Sequence, residues 1–486
     1  MCANIPRLMI AGLSGDSGKT IASLSLLTAF RRKGLAISVF KKGPDYIDAA
    51  WLARIAGVIC RNLDTFMVAP DLVLDRFACS AQATDIALIE GNRGLYDGRD
   101  AEGTHSSASL ARLIDTPVVL VVDATKSTRT LAALIKGCID FEPETKIAGV
   151  IINRIAGERH RRVVTDAIEI YCSLPVLGCI PKLDDKAGVI PGRHLGLITP
   201  AEFDDRALED RLAAIADQYL DVDRILGIAR SAEPIKVVSP VRLPMKPTSS
   251  VRLGYFCDSV FTFYYPENLE ALERHGAQLV PLSSLTDGSL PDDLDGLYIG
   301  GGFPETQVER LVSNESLRIS VKTAAEAGMP IYAECGGLIY LCRTLSDGDY
   351  RYPMAGVFDV DLAMNRRPVG HGYAILKIDQ ANPFFEIGQE IRGHEFHYSG
   401  PADACRSATC MKVMTGVGLG YSRDGLVYRR TLASYVHTHA DGVRGWATRF
   451  VAAAGEYRSE RSDPDEGEAA AESGQTEPIA ARPALV

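Results

Sequence analysis

Two groups of residues in this chain carry types and spacings that can do chemistry. The first begins with Gly12-Leu13-Ser14-Gly15-Asp16-Ser17-Gly18-Lys19-Thr20. It follows an apolar run and precedes a helical pattern, the context of a phosphate cradle. Gly12, Gly15 and Gly18 let backbone N–H groups approach the phosphates of ATP. Lys19 reaches the outer phosphate oxygens, and the Thr20 hydroxyl is a Mg²⁺ ligand. The first Gly stands one residue earlier than the common spacing requires. Two more segments end predicted strands: Phe40-Lys41-Lys42-Gly43-Pro44-Asp45-Tyr46-Ile47-Asp48 and Ile89-Glu90-Gly91-Asn92-Arg93-Gly94-Leu95-Tyr96-Asp97. Ligands of open α/β sheets bind at such strand ends. Glu90 is the expected second metal ligand and Lys41 the group that stabilises a transferring phosphoryl. Asp45, Asp48 and Asp97 are expected to orient the acceptor or to hold metal. Gly-Pro-Asp and Tyr-Asp-Gly are also ordinary turn sequences; beside a phosphate loop the functional reading is favoured. Asn153, at another strand end, is expected either to read the adenine edge or to cap the strand.

The second group centres on Ile331-Tyr332-Ala333-Glu334-Cys335-Gly336-Gly337-Leu338, which reads as strand, sharp turn, helix. Cys335 at this elbow is a candidate nucleophile, its pKa expected to be lowered by the helix N-terminus. Gly336, and Gly302 from the upstream Gly300-Gly301-Gly302 run, are expected to supply oxyanion-hole N–H groups. Thiolate chemistry needs a His base, and the candidates, His437 and His439, stand in Ser434-Tyr435-Val436-His437-Thr438-His439. Gly393-His394-Glu395-Phe396-His397 lacks the spacing of the helical zinc motif, and on a strand His394 and His397 point to opposite faces. No protein-held transition metal is expected.

The elements that must position these groups are legible as apolar runs. Leu8–Ala11, Ala36–Phe40, Ile86–Ile89, Pro117–Val122, Gly149–Ile152 and Pro175–Leu177 are apolar nearly throughout. That pattern predicts parallel strands covered on both faces. With helical patterns such as 20–33 and 131–139 between them, residues 1–230 form a doubly wound α/β domain. Residues 231–250 are rich in Pro and Ser and read as a linker. A second α/β domain spans 251–455. The last segment, 456–486, is rich in acids, Ala, Ser and Pro and reads as a disordered tail.

The 486 residues thus suffice for two domains with their own cores. The formal charge is −10, with eight acids and three bases in 456–486, so half of it lies in the segment read as a tail. No global basic field exists, and nucleic-acid binding is not expected. The eleven Cys are scattered without C-x-x-C, which fits free thiols in a reducing cytosol. No apolar run has the ~20 residues of a membrane span, and no signal peptide is read. A cytoplasmic protein is expected, with a homodimer left open.

The phosphate-loop spacing resembles that of two groups. Chromosome-partitioning and septum-site ATPases carry a second Lys five residues before the loop Lys, where this chain has Ser14. The other group activates carboxylates, as dethiobiotin synthetase does. Together the motifs resemble the cobyrinate a,c-diamide synthase family of glutamine amidotransferases, over about 7–445. Besides the segments quoted, the carriers include Arg193-His194-Leu195-Gly196-Leu197, Gly-Gly-Gly-Phe-Pro-Glu, Gly-His-Glu-Phe-His-Tyr-Ser and Ala-Ser-Tyr-Val-His-x-His. The resemblance implies a dethiobiotin-synthetase-like N-terminal domain and a class I glutamine amidotransferase-like C-terminal domain. It further implies that Cys335 and His437 hydrolyse glutamine and that Mg·ATP activates the a and c acetate carboxylates of a tetrapyrrole as acyl phosphates. Ammonia passing between the domains then forms the amides. The resemblance is to the Cys-His type, so no third, acidic member is assigned. Family members commonly read Glu-Gly-Val-Met-Gly-Leu where this chain has Asn92-Arg93. Relatives acting on sirohydrochlorin, its nickel form or sirohaem leave the acceptor open among tetrapyrroles. The contrasting expectation is a partitioning-type regulatory ATPase, against which Ser14 and the Cys335 elbow argue.

Overall fold

A computed structural model describes residues 2–183, 190–193, 196–203, 205–236, 251–403 and 407–462. Seven strands form the first sheet: β1 (Arg7–Gly12), β2 (Ile37–Lys42), β3 (Cys60–Leu63), β4 (Ile86–Gly94), β5 (Val118–Asp123), β6 (Ile147–Ile155) and β7 (Val176–Pro181). Their order is β3-β2-β4-β1-β5-β6-β7, all parallel. One apolar core lies on each face. Phe40, Ile89, Leu120 and Ile152 point to one, and Leu8, Ile10, Val39, Leu88, Val119 and Ile151 to the other. This two-sided burial is why the strands lack alternation. The helices Lys19–Arg32 and Ile47–Ala56 follow β1 and β2 directly. Their N-termini therefore meet at the carboxyl end of the sheet.

The second sheet has ten strands. They are β8 (Val251–Phe256), β9 (Ala277–Leu282), β10 (Gly296–Ile299), β11 (Ile331–Glu334), β12 (Gly370–Ile378), β13 (Glu390–His397), β14 (Thr409–Thr415), β15 (Arg423–Tyr428), β16 (Thr431–Ser434) and β17 (His437–Thr438), in the order β9-β8-β10-β11-β16-β15-β14-β12-β13-β17. The half β9-β8-β10-β11-β16 is parallel. The other half, unforeseen from the sequence, is antiparallel. Its register opposes His394 to His437 across β13 and β17.

Two segments differ from the expectations. Ile235–Lys236, in the stretch read as linker, pairs antiparallel with Cys2–Ala3; residues 237–250 lie outside the described residues. The stretch read as a tail from 456 is helical to Ser462, within the helix Trp446–Ser462. Trp446, Phe450 and Ala454 lie on one face of that helix and anchor it in the core. Residues 463–486, and His194 and Leu195 of the Arg193–Leu197 motif, lie outside the described residues. Among the described residues no helix is long and apolar enough to cross a membrane.

The domains meet through buried polar contacts. Arg61 on β3 donates to Glu267 at 2.9 Å and to Glu270 at 2.7 Å, and Arg76 grips Asp441 with two 2.7 Å bonds. The Tyr373 hydroxyl donates to Asp64 at 2.7 Å. Burial alone would push the Glu267 carboxyl up, but His439 and Arg61 outweigh it and hold it at about 2. The stabilisation this gives is present above the ordinary glutamate range and is lost as pH falls from about 4.5 through about 2. Arg61→Met is therefore expected to lower unfolding free energy at pH 7 by on the order of 1–3 kcal/mol. The gap from wild type should narrow as Glu267 protonates. Chemical denaturation at a series of pH values checks this; a pH-independent gap contradicts it.

Candidate active site

The loop between β1 and the helix Lys19–Arg32 closes tightly. A Cβ on Gly12 would lie 2.4 Å from Ser17 Oγ and 2.9 Å from Lys19 Nζ. Gly18 has φ +97°, and a Cβ there would meet Asn153 Nδ2 at 2.1 Å. Gly15 has open space around its Cα; it lines the cavity without a steric demand. Lys19 Nζ rests 3.3 Å from the Ser14 carbonyl. Its ammonium is lowered by burial and by neighbouring Lys41, so an arriving polyanion would relieve an existing electrostatic cost.

Lys41 at the end of β2 is fully buried. Its Nζ donates to Asp48 at 2.7 Å, to Glu90 Oε1 at 2.8 Å and to the Gly91 carbonyl at 3.2 Å. Burial would lower this ammonium, but Asp48 and Glu90 outweigh it and hold it well above the usual lysine value. Glu90 Oε1 also accepts from the Thr20 hydroxyl at 3.0 Å, while Oε2 is buried without a hydrogen-bond partner. An orphaned carboxylate oxygen beside a threonine hydroxyl is a donor set that fits a hard cation held together with phosphate oxygens and water. Asp45 caps the next helix by accepting from Asp48 N at 2.9 Å. Burial first, and then the Asp48 charge, push its carboxyl up to about 7.

Two expected site residues serve the loops themselves. Asn153 Nδ2 donates to the Ser17 carbonyl at 3.0 Å and its Oδ1 accepts from Arg154 N at 2.9 Å. It braces the phosphate loop, where the sequence left an adenine contact and a strand cap both open, and it also lines the cavity. Asp97 Oδ2 accepts from Gly94 N at 2.8 Å and closes the turn after β4; it stands at the cavity wall, with no contact to Thr20 or Glu90 among the hydrogen bonds of the site.

In the second domain β11 delivers Cys335 to a strained elbow, φ 47° and ψ −97°, held by a 2.8 Å bond from Cys335 N to the Ser434 carbonyl. A Cβ on Gly336 would lie 2.9 Å from Gly302 N, so the two expected oxyanion-hole backbones are in contact. The His437 ring packs on Gly301, where a Cβ would come within 2.3 Å of Cε1. It stacks on His394 with centroids 4.9 Å apart. His439 points elsewhere, to Glu267 at 3.5 Å. The Cys335 thiol departs from expectation: burial pushes it up, with the Glu305 charge adding to this, and the Gly336 N–H offsets only part. The helix here spans only Gly336–Leu341, too short for its terminus to overcome desolvation.

One cavity of 1320 Å³ joins the two centres. Its wall includes Lys19, Thr20, Lys41, Asp45 and Asp48 on one side and Gly302, Cys335, His394 and His437 on the other. Tyr46 stands between them. Its ring stacks on Phe263 at 5.0 Å and 5° and lies 5.2 Å from the His437 ring. Tyr46 and His394 escaped the sequence reading. Tyr46 sat inside a quoted motif, but its partners come from the other domain. His394 was weighed only as a metal ligand, and the strand pairing that brings it to His437 spans 43 residues of sequence.

Residues 8–190 match the CobQ/CobB/MinD/ParA nucleotide binding domain family, and residues 252–444 match the CobB/CobQ-like glutamine amidotransferase domain family. A protein of Magnetococcus marinus named cobyrinate a,c-diamide synthase is 41% identical over 91% of this chain and 96% of its own length. The chain belongs to the cobyrinate a,c-diamide synthase family. Members from Archaeoglobus fulgidus and Methanosarcina acetivorans, both with that name, are 38% and 39% identical over 92% and 94% of this chain and 97% of their own. As a member of the family it is an ATP- and glutamine-dependent amide-forming ligase.

The raised Cys335 thiol gives a direct expectation. A thiol whose pKa is raised holds little thiolate at neutral pH. In the free enzyme at pH 7–8, iodoacetamide should modify exposed Cys79 and Cys257 well before Cys335. Peptide mapping by mass spectrometry reads the order; Cys335 reacting first contradicts it.

Proposed function

We propose that this chain amidates the a and c acetate carboxylates of cobyrinate or hydrogenobyrinate, with ATP activating each carboxylate and glutamine supplying the nitrogen. The observation that carries this reading is the single cavity lined by both the Lys19–Lys41–Asp48 cluster and the Cys335–His437 pair. The acceptor is taken from the names of the relatives.

In the glutaminase half, His437 takes the proton of Cys335 Sγ and the sulfur adds to the glutamine carboxamide. The N–H groups of Gly302 and Gly336 receive the oxyanion. The proton returns to the leaving nitrogen, ammonia departs and a thioester remains; water then releases glutamate and restores the thiol. In the synthetase half, Lys19 and the loop N–H groups hold the phosphates of ATP. Mg²⁺, held by Thr20 and Glu90, would supply charge neutralisation at the outer phosphates. A substrate carboxylate oxygen bonds to the terminal phosphorus and ADP leaves; ammonia adds to the acyl phosphate and phosphate departs. Lys41 lies where negative charge develops, and Asp48 ties its ammonium toward the acceptor. Asp45, poised near neutrality, is placed to take the proton that the added ammonia must lose.

A second reading keeps the chemistry and changes the acceptor to a sirohydrochlorin-type tetrapyrrole. Its ground is Asn92-Arg93, where family members commonly read Val-Met: Arg93 is exposed at the cavity wall with φ 50° and 3.5 Å from His371 Nε2. That cation is suited to a peripheral carboxylate.

Incubation with ATP, Mg²⁺, glutamine and a panel of cobyrinic acid, hydrogenobyrinic acid and sirohydrochlorins, followed by mass spectrometry, decides between them. Two amides on the corrinoids are expected; amides on sirohydrochlorins alone favour the second reading. Cys335→Ala should abolish glutamine-driven amidation and retain ammonia-driven amidation. Lys19→Ala should lose both by at least about 100-fold. Glutamine-driven turnover surviving Cys335→Ala would overturn the nucleophile, and amidation surviving Lys19→Ala the ATP site.

A further inference from the structure

The residue immediately before the nucleophile is a buried carboxylate that the glutaminase steps above leave without a task. Glu334 ends β11 on a strand otherwise made of Ile331, Tyr332 and Ala333, and none of its side chain is exposed. A carboxylate there is costly unless its oxygens are fully engaged. Oε1 accepts from the Tyr332 hydroxyl at 3.0 Å, from Thr438 N at 3.0 Å and from Thr438 Oγ1 at 2.9 Å. Oε2 accepts from the Tyr298 hydroxyl at 3.2 Å and stands 3.5 Å from His437 Nδ1. His437 Nδ1 is itself buried and has no hydrogen-bond partner at shorter range. The unpartnered Nδ1 therefore faces a carboxylate oxygen whose one hydrogen bond comes from Tyr298.

Among the described residues, Glu334 is the carboxylate within ion-pair distance of His437. His439, two residues on, turns to Glu267. His394 lies on the ring face and is engaged with the Tyr265 hydroxyl at 3.3 Å. Asn268 fixes the segment by donating to the Thr438 carbonyl at 2.9 Å and accepting from Ala440 N at 2.7 Å. Since Thr438 N and Oγ1 both bind Glu334, the carboxylate also sets the backbone that carries His437.

We infer that Glu334 is the positioning residue of the glutaminase centre, accepting the Nδ1 proton of His437 so that Nε2 is bare toward Cys335. The inference rests on the reading of Cys335 and His437 above. The third member then comes from the residue before the nucleophile. A single turn of chain delivers both the sulfur and the group that orients its base. Such a carboxylate selects the tautomer and supports the imidazolium while the Sγ proton resides on Nε2. The 3.5 Å separation is the loose geometry that closes once substrate fills the site.

The test has two arms. In the wild-type full chain labelled with ¹⁵N-histidine, with His437→Gln used for assignment, the neutral ring of His437 should carry its proton on Nδ1 and leave Nε2 bare. A bare Nδ1 overturns the inference, and this measurement needs no Glu334 variant to fold. In kinetics, Glu334→Gln should lower glutaminase kcat roughly 100-fold with KM for glutamine within about threefold, and Glu334→Asp should recover most of the loss. In a His437→Ala background Glu334→Gln should cost nothing further, because it acts through that ring. A Gln variant within about threefold of wild-type kcat, or one whose loss multiplies with His437→Ala, overturns the inference. If His437→Ala alone keeps glutaminase activity, the base assignment beneath it fails instead.

Discussion

The nucleotide end of the molecule is organised around one buried ammonium. Lys41 has no water to solvate it, so the fold must supply opposite charge within hydrogen-bond distance, and it supplies Asp48 and Glu90. Once these are in place much else is determined. Glu90, which the structure places midway along β4 where the sequence put it at a strand end, leaves one oxygen with Thr20 and one orphaned. Asp48 ties the first turn of the helix Ile47–Ala56 to β2, and burial, with the Asp48 charge beside it, drives the Asp45 carboxyl up to about 7. The site is preorganised for a polyanion before one arrives, so little reorganisation is left for the moment of phosphoryl transfer.

The second constraint is the seam. On the proposed reading, ammonia made at Cys335 is useful only if it reaches an acyl phosphate before bulk water does. The domains are pinned by Arg61 on Glu267 and Glu270, by Arg76 on Asp441 and by Tyr373 on Asp64. Tyr46 belongs to the same short segment as Asp45 and Asp48, yet its ring packs among Phe263, Tyr265, His394 and His437. A change in the segment that carries Asp45 and Asp48 is thereby felt at His437 through direct contact.

The sequence made part of this legible. Uniformly apolar runs marked the parallel strands because burial on both faces leaves no alternation to misread. The phosphate loop and the Cys335 elbow were visible because backbone geometry at both demands glycine at fixed offsets, as Gly12, Gly18 and Gly336 show. What escaped depends on contacts between segments far apart in the chain. The antiparallel half of the second sheet places His394 on His437 through strand register alone. Asn153 was open between base reader and strand cap, and the engagement of its amide with Ser17, 136 residues earlier, was not legible. The Cys335 thiol was misjudged because a helix N-terminus is visible in a motif, whereas the depth of burial is not. Glu334 stood in plain view as a lone acid on an apolar strand, a signal that gains meaning only when Tyr298, Tyr332, Thr438 and His437 converge on it.

The central claim is that the Lys19–Lys41–Glu90 site passes a phosphoryl group to a substrate carboxylate before nitrogen arrives. Labelling the acceptor carboxylates with ¹⁸O tests it most directly, because an acyl phosphate must hand one carboxylate oxygen to the departing phosphate. The account predicts one ¹⁸O atom in inorganic phosphate for each amide formed, seen by mass spectrometry or ³¹P NMR. Amide formation that leaves the phosphate unlabelled would contradict it.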